Sequence, residues 1–150
     1  MTTERGTPSV VDRDDAATTQ RTLTLSVRVV GAAMLVATGW IHLDLWLDGY
    51  RAIPWIGPLF LANVVLAGLA AIAVLATPTR WLPWVALSAG LLELGTLAAL
   101  VLSLTVGLFG FIESLRATLV VPTILVESVG FLVLAGYAVV VLSRQRRRQA

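Results

Sequence analysis

The stretch GWIHLDLWLDGYRAIPWIGPLFLAN, residues 39–63, decides how the whole chain is read. It closes one apolar run, passes through a short charged hairpin and opens a second apolar run. Asp48-Gly49 marks the turn, and Gly49, Pro54, Gly57 and Pro58 make the connection stiffer than a plain linker needs. The only histidine, His42, lies in this stretch. Trp40, Trp46, Tyr50 and Trp55 supply aromatic anchors of the kind that gather where a membrane meets water.

Composition explains why apolar runs dominate. Of 150 residues, 57% are hydrophobic and 13% charged, and the mean hydropathy is +0.86. Soluble domains carry roughly 25% charged residues. A chain this apolar needs lipid around it, which predicts an integral membrane protein of one domain. Cysteine is absent, which removes disulfides, thiol nucleophiles and Cys-based metal or haem attachment. All eleven basic residues are arginine, so lysine Schiff-base chemistry is removed as well.

Outward from the hairpin, the pattern predicts an all-α, polytopic fold, a four-transmembrane-helix bundle. The spans fall at residues 27–46, 56–76, 84–108 and 121–142. Each has about 20 residues, and at about 1.5 Å per residue that crosses a hydrocarbon core of about 30 Å. Residues 1–24, polar and without apolar period, read as a disordered tail. Residues 25–143 form the transmembrane domain, and residues 144–150 a basic tail. The leader is too long and acidic for a signal peptide, so the first span is expected to remain. Pro58 and Pro83 stand where a helix tolerates proline, in its first turn. The linker at residues 109–120 is expected to form a short interfacial helix. No tandem or inverted repeat stands out.

Arginine sets the expected orientation. With four spans, Arg13, Arg21, Arg28, Arg80, Arg144, Arg146, Arg147 and Arg148 share one side. Only Arg51 and Arg116 lie on the other, among Asp44, Asp48 and Glu113. The positive-inside rule then places both termini in the cytoplasm and the protein in the plasma membrane. Trp81 and Trp84 would mark the inner interface.

Polar residues inside the spans are costly, by roughly 2.5–3.5 kcal/mol for a charge at a helix centre. His42, Asn63, Glu93, Ser103 and Glu127 are therefore expected to point into the bundle. Helical spacing supports this, because small residues share their faces. Glu93 lines up with Ala86, Ala89, Gly90 and Thr96, and Glu127 with Thr123 and Gly130. His42 lines up with Thr38, Gly39 and Trp46, and Asn63 with Ala67 and Ala70. By helical rise, His42 lies roughly 6 Å below Trp46, and Asn63 and Glu127 roughly 9 Å below the ends of their helices. Glu93, near mid-bilayer, is expected to be too deep to touch that upper group without water or a helix tilt. His42 reads either as a bundle histidine bonded to Thr38, Asn63 or Glu127, or as a proton relay or ligand. One histidine is too few for a zinc or bis-histidine haem site, so neither metal nor cofactor is expected.

The hairpin and linker residues Asp44, Asp48, Tyr50, Arg51, Glu113 and Arg116 form a candidate outer surface, with an ion pair from Arg51 to Asp44 or Asp48. Arg144, Arg146, Arg147 and Arg148 read as an anchor to anionic headgroups, worth about 1 kcal/mol each. Nucleic acid is not an expected partner, since that run has no folded support or interleaved aromatics. Expected partners are the lipid bilayer and another membrane protein or a second copy. No hydrolase, zinc-protease, P-loop or dinucleotide motif is present, and the chain is not expected to be an enzyme. A lipid-acting enzyme would instead bring Asp44, Asp48 and Glu113 into one pocket.

Residues 39–43, Leu45-Trp46, Gly49-Tyr50-Arg51, Ile53-Pro54 and residues 56–61, with residues 107–111, resemble small four-helix membrane proteins of actinobacteria. The resemblance covers the spans and implies a plasma-membrane location and no chemistry. Small multidrug transporters share the span count, but their membrane glutamate lies in the first span. Two functional expectations follow. The first is a non-enzymatic accessory or scaffold subunit that docks a partner through its outer hairpin. The alternative is a small proton-coupled transporter or channel using Glu93, Glu127 and His42.

Overall fold

A computed structural model describes residues 10–149 of the chain. Four helices follow one another: α1 (Val10–Leu47), α2 (Ile56–Ala76), α3 (Leu82–Thr105) and α4 (Val120–Gln149). One 3-10 turn, Tyr50–Ala52, sits in the α1–α2 hairpin. Each helix contains a stretch long and apolar enough to cross a membrane: Thr18–Leu47, Ile56–Ala76, Leu82–Thr105 and Val120–Arg147. By length and composition this is a multi-pass membrane protein.

Helix ends depart from the sequence expectation where the chain leaves its apolar runs. Residues 10–24, expected to be disordered, belong to α1, and residues 144–149 of the basic tail belong to α4. No Gly or Pro interrupts either flank, and a helix already started gains one hydrogen bond for each residue added. Residues 1–9 of the expected tail lie outside the described residues, as do the side chains of Arg13 and Arg148. Helix α3 starts two residues earlier than expected, with Pro83 in its first turn. It ends at Thr105 because Gly107, at φ 88°, turns left-handed and donates its N–H to Leu102 O at 2.9 Å.

The linker after α3 holds no interfacial helix. Leu108 and Phe111 exchange N–H···O bonds of 2.8 and 2.9 Å across Phe109 (φ 52°) and Gly110 (φ 79°). Two consecutive positive φ values make a tight hairpin turn. The Glu113 N–H then reaches back to Ser103 O at 2.9 Å, laying the linker against the end of α3.

The helices pack in a ring, α1 with α2, α2 with α3, α3 with α4 and α4 with α1. The α1/α2 and α3/α4 pairings are the extensive ones, and α2 meets α3 less closely. The apolar core fills the half of the bundle near the α2–α3 turn, with Val27, Leu35, Val74, Leu82, Leu134 and Tyr137 buried together. The half nearer the hairpin holds most of the buried polar side chains, Thr24 being at the opposite end.

Arg28 closes the core half. Its guanidinium donates to Val74 O, Leu75 O and Thr77 O at 2.6, 2.7 and 2.5 Å. The last carbonyls of a helix have no partner within it and carry partial negative charge. A planar cation from α1 thus caps α2. Arg28→Met should lower the thermal unfolding midpoint of the purified protein, at a cost of roughly 1.5–3 kcal/mol. Arg28→Lys should recover only part, because an ammonium cannot reproduce the fork. Equal midpoints for all three proteins would refute the cap.

Candidate functional site

The site begins with Glu93, fully buried on α3. Both of its carboxylate oxygens lie within hydrogen-bond reach of the Thr38 hydroxyl on α1, at 3.2 and 3.0 Å. Space for the carboxylate comes from α4. A Cβ on Gly130 would lie 3.1 Å from Glu93 Cδ, so a side chain there would press on the carboxylate. Three helices meet at this level.

One turn toward the hairpin, the Thr38 carbonyl lies 2.9 Å from His42 Nδ1. A carbonyl only accepts, so Nδ1 carries the proton. In the neutral ring Nε2 is then an acceptor, and Asn63 Nδ2 on α2 approaches it at 3.4 Å. Glu127 Oε1 on α4 stands 4.0 Å from the same nitrogen. Glu93, expected to lie out of reach of the upper group, is joined to it through Thr38, whose hydroxyl serves Glu93 and whose carbonyl serves His42.

Glu127 differs from Glu93. It is equally buried, yet neither of its carboxylate oxygens makes a hydrogen bond, the neighbouring Thr96 hydroxyl being turned to Leu92 O and Glu93 O at 3.2 and 3.0 Å; Asn63 Oδ1 also makes none. These groups line a cavity of about 280 Å³ between α2 and α3. His42, Asn63 and Glu127 form its polar end, with Thr96 and Thr123 beside them. Leu59, Leu66, Leu92, Leu100 and Leu119 supply apolar wall. Its lateral rim includes the exposed residues Leu59, Ala62, Leu66 and Gly95, so it opens on the side that faces lipid. Ser103 lines it too, but its hydroxyl is spent on Leu100 O at 2.8 Å.

Aromatic rings connect this polar end to the hairpin. His42 tilts against Phe60 with ring centres 4.9 Å apart, and Phe60 stacks on Tyr50 at 5.1 Å. Tyr50 meets Phe111 edge-on at 5.8 Å and donates its hydroxyl to Glu113 Oε2 at 2.6 Å. Tyr50, Phe111 and Glu113 all line the cavity, so the Tyr50–Glu113 bond latches its hairpin end.

The expected outer surface therefore divides. Asp44, Asp48, Arg51 and Arg116 are exposed, whereas Tyr50 and Glu113 are half-buried and turned toward each other. Arg51 lies over the Trp46 ring at 5.9 Å, a cation–π contact in place of the expected ion pair. Asp44 and Asp48 do not line the cavity with Glu113. Arg144, Arg146 and Arg147 are exposed along the last turns of α4. Sequence reading missed Thr38 as a bridge and Tyr50 as a latch, since both act on residues more than fifty positions away.

Burial, the hydrogen bond to Glu113 and the negative charges of Glu113 and Asp48 all push the Tyr50 hydroxyl well above its ordinary range. The neutral phenol is the form that the fold favours. The latch contributes fully below about pH 10, the ordinary tyrosine value, and its contribution fades as pH rises through the raised one. In Tyr137→Phe, which leaves Tyr50 the sole tyrosine, phenolate absorbance should appear only well above pH 10. Adding Glu113→Gln should bring it part of the way down, because burial remains. A titration unchanged by Glu113→Gln would contradict the latch.

No protein-family model matches the chain, and no curated protein or solved structure matches it.

Proposed function

We propose that this protein is a small proton-coupled transporter that takes an amphiphilic molecule into its intramembrane cavity. Glu127, with His42 and Glu93, exchanges protons against it. The observation that carries this reading is the pair of partnerless Glu127 oxygens at the polar end of a cavity open toward lipid. A buried carboxylate without a partner is expensive, about 1–3 kcal/mol or more. Intramembrane ionisable groups of this kind mark ion and substrate paths.

The parts support distinct roles. Glu127 is free to take up a proton or a ligand's polar group. His42 stands 4.0 Å away with Nε2 available to pass a proton, and its Nδ1 is fixed by Thr38. Glu93 holds α1 against α3 through Thr38 while it remains bonded. The Tyr50–Glu113 latch governs the hairpin end. In vesicles containing the purified protein and a pH-sensitive dye, an imposed gradient of a membrane-soluble amphiphile should move protons. Glu127→Gln should abolish that movement while the thermal unfolding midpoint is kept. Wild-type vesicles that move no protons with any amphiphile tested would overturn the proposal.

A second reading, an accessory or scaffold subunit, draws on the two loops. Trp55 (φ 66°) and Phe109 (φ 52°) both hold left-handed backbone, and their rings pair 6.2 Å apart. Such conformations cost about 1–3 kcal/mol each and cluster where loops have work to do. Both rings are exposed, as are Ile112 and Leu115. The arginine distribution supports placing this surface outside the plasma membrane, with both termini in the cytoplasm. Arg51→Cys, in a chain otherwise free of cysteine, should react with an impermeant maleimide on intact cells. A thiol-directed crosslinker there should capture one defined protein. Absence of surface labelling would overturn the orientation, and capture of lipid alone would overturn the docking.

A further inference from the structure

We propose that the cavity ligand is a lipophilic amine whose N–H groups meet Glu127 and Asn63; this rests on the cavity being a binding site, as argued above. The chemistry of the unmatched atoms carries the assignment. Glu127 Oε1, Glu127 Oε2 and Asn63 Oδ1 are buried without partners. All three are oxygens. No buried side-chain donor is left unmatched among the described residues. What fits such a site is a group that donates several hydrogen bonds and accepts none.

The orientation of Asn63 follows from its neighbour. His42 Nδ1 must donate to the Thr38 carbonyl, which leaves Nε2 of the neutral ring as an acceptor facing the Asn63 amide. Reversing that amide would set oxygen against a nitrogen lone pair and strand the NH2 group. The Asn63 carbonyl is thereby left for a ligand. A free amine that takes up the proton of Glu127 leaves one negative charge at the polar end. An ammonium group supplies both the complementary charge and the donors, and a charge-assisted N–H···O bond is roughly twice as strong as a neutral one. A carboxylate or phosphate ligand would face three oxygens and gain nothing.

The rest of the cavity suits the rest of such a molecule. Its volume of about 280 Å³ is lined mainly by apolar side chains, leucine foremost, with Phe60 and Phe111 among them. One water takes about 30 Å³ in the liquid, so a medium-length alkyl chain has room. The aromatic rings add faces on which a cation is favoured. The exposed rim between α2 and α3 lets the molecule arrive from the bilayer with its apolar end still in lipid.

The test uses the full-length protein in lipid nanodiscs, with empty nanodiscs subtracted to remove partitioning. Four probes of one chain length are compared by equilibrium dialysis: n-octylamine, n-octanol, octanoate and octyltrimethylammonium. Octylamine should bind saturably and at least about tenfold tighter than octyltrimethylammonium, which has the charge but no N–H, or octanoate. Glu127→Gln should weaken octylamine by about tenfold or more, and Asn63→Leu by less, with unfolding midpoints recorded for both. The wild-type ranking needs no variant and stands even if one of them fails to fold. Equal binding of octanol and octylamine, or tighter binding of octanoate, would overturn the amine assignment and leave the cavity as a binding site. Saturable binding of none of the four would remove the assignment and the transport reading beneath it.

Discussion

The contact between the Thr38 hydroxyl and the Glu93 carboxylate sets the register of the bundle. Lipid and apolar side chains offer a carboxylate nothing, so a partner must come from another helix. Here the partner comes from α1 and the empty space from Gly130 on α4, so α1, α3 and α4 are fixed at one level. Helical repeat does the rest. One turn toward the hairpin from Thr38 is His42, one turn from Glu93 is Thr96, and one turn from Gly130 is Glu127. The polar end of the cavity is the next layer above the Glu93 level, and it forms wherever that level forms.

Two glutamates of equal burial thus have different parts. Glu93 is matched, and its matching holds helices together. Glu127 is unmatched and belongs to the polar end of the cavity wall. The division follows the two halves of the bundle. Near the α2–α3 turn the interior is apolar and closed, with Arg28 capping α2 from the neighbouring helix. Near the hairpin the interior is polar, aromatic and hollow.

Much of the fold could be read from the residues alone. The second span, residues 56–76, coincides with α2 because Thr77-Pro78 ends the apolar run as sharply as Pro58 begins it. Small residues on the faces of Glu93 and Glu127 indicated which way those side chains turn, since period alone determines a face. Less could be read where the outcome depends on how far one helix is shifted along another. Several threonines were available to Glu93, and only the axial offset of α1 and α3 selects Thr38. Tyr50 reads as an interfacial anchor until the linker places Glu113 beside it. The linker departs from the expected helix because Phe109 accepts a positive φ that sequence reasoning assigns to glycine or asparagine. The helical flank at residues 10–24 is not legible from composition, because a helix already formed propagates into polar residues that hold no Gly or Pro.

The side of the bundle that can open follows from where the hydrogen bonds are absent. Helix α2 is tied to α1 by Arg28 at one end and by the Asn63–His42 contact farther along. Helix α3 is tied to α1 through Glu93 and packs extensively on α4. Between α2 and α3, among the described residues, no side-chain hydrogen bond is made. Their seam holds the cavity in the hairpin half and continues as a groove of about 490 Å³ past Leu66 and Leu92. Of the two seams that join the α1/α2 pair to the α3/α4 pair it is the weaker, since α1 packs on α4 more extensively. The bonds crossing that division are Thr38 to Glu93 and Tyr50 to Glu113, one in the interior and one at the hairpin. Both end on a carboxylate, so in the proposed transport reading the groups that exchange protons and the contacts that hold the two pairs together are of one kind.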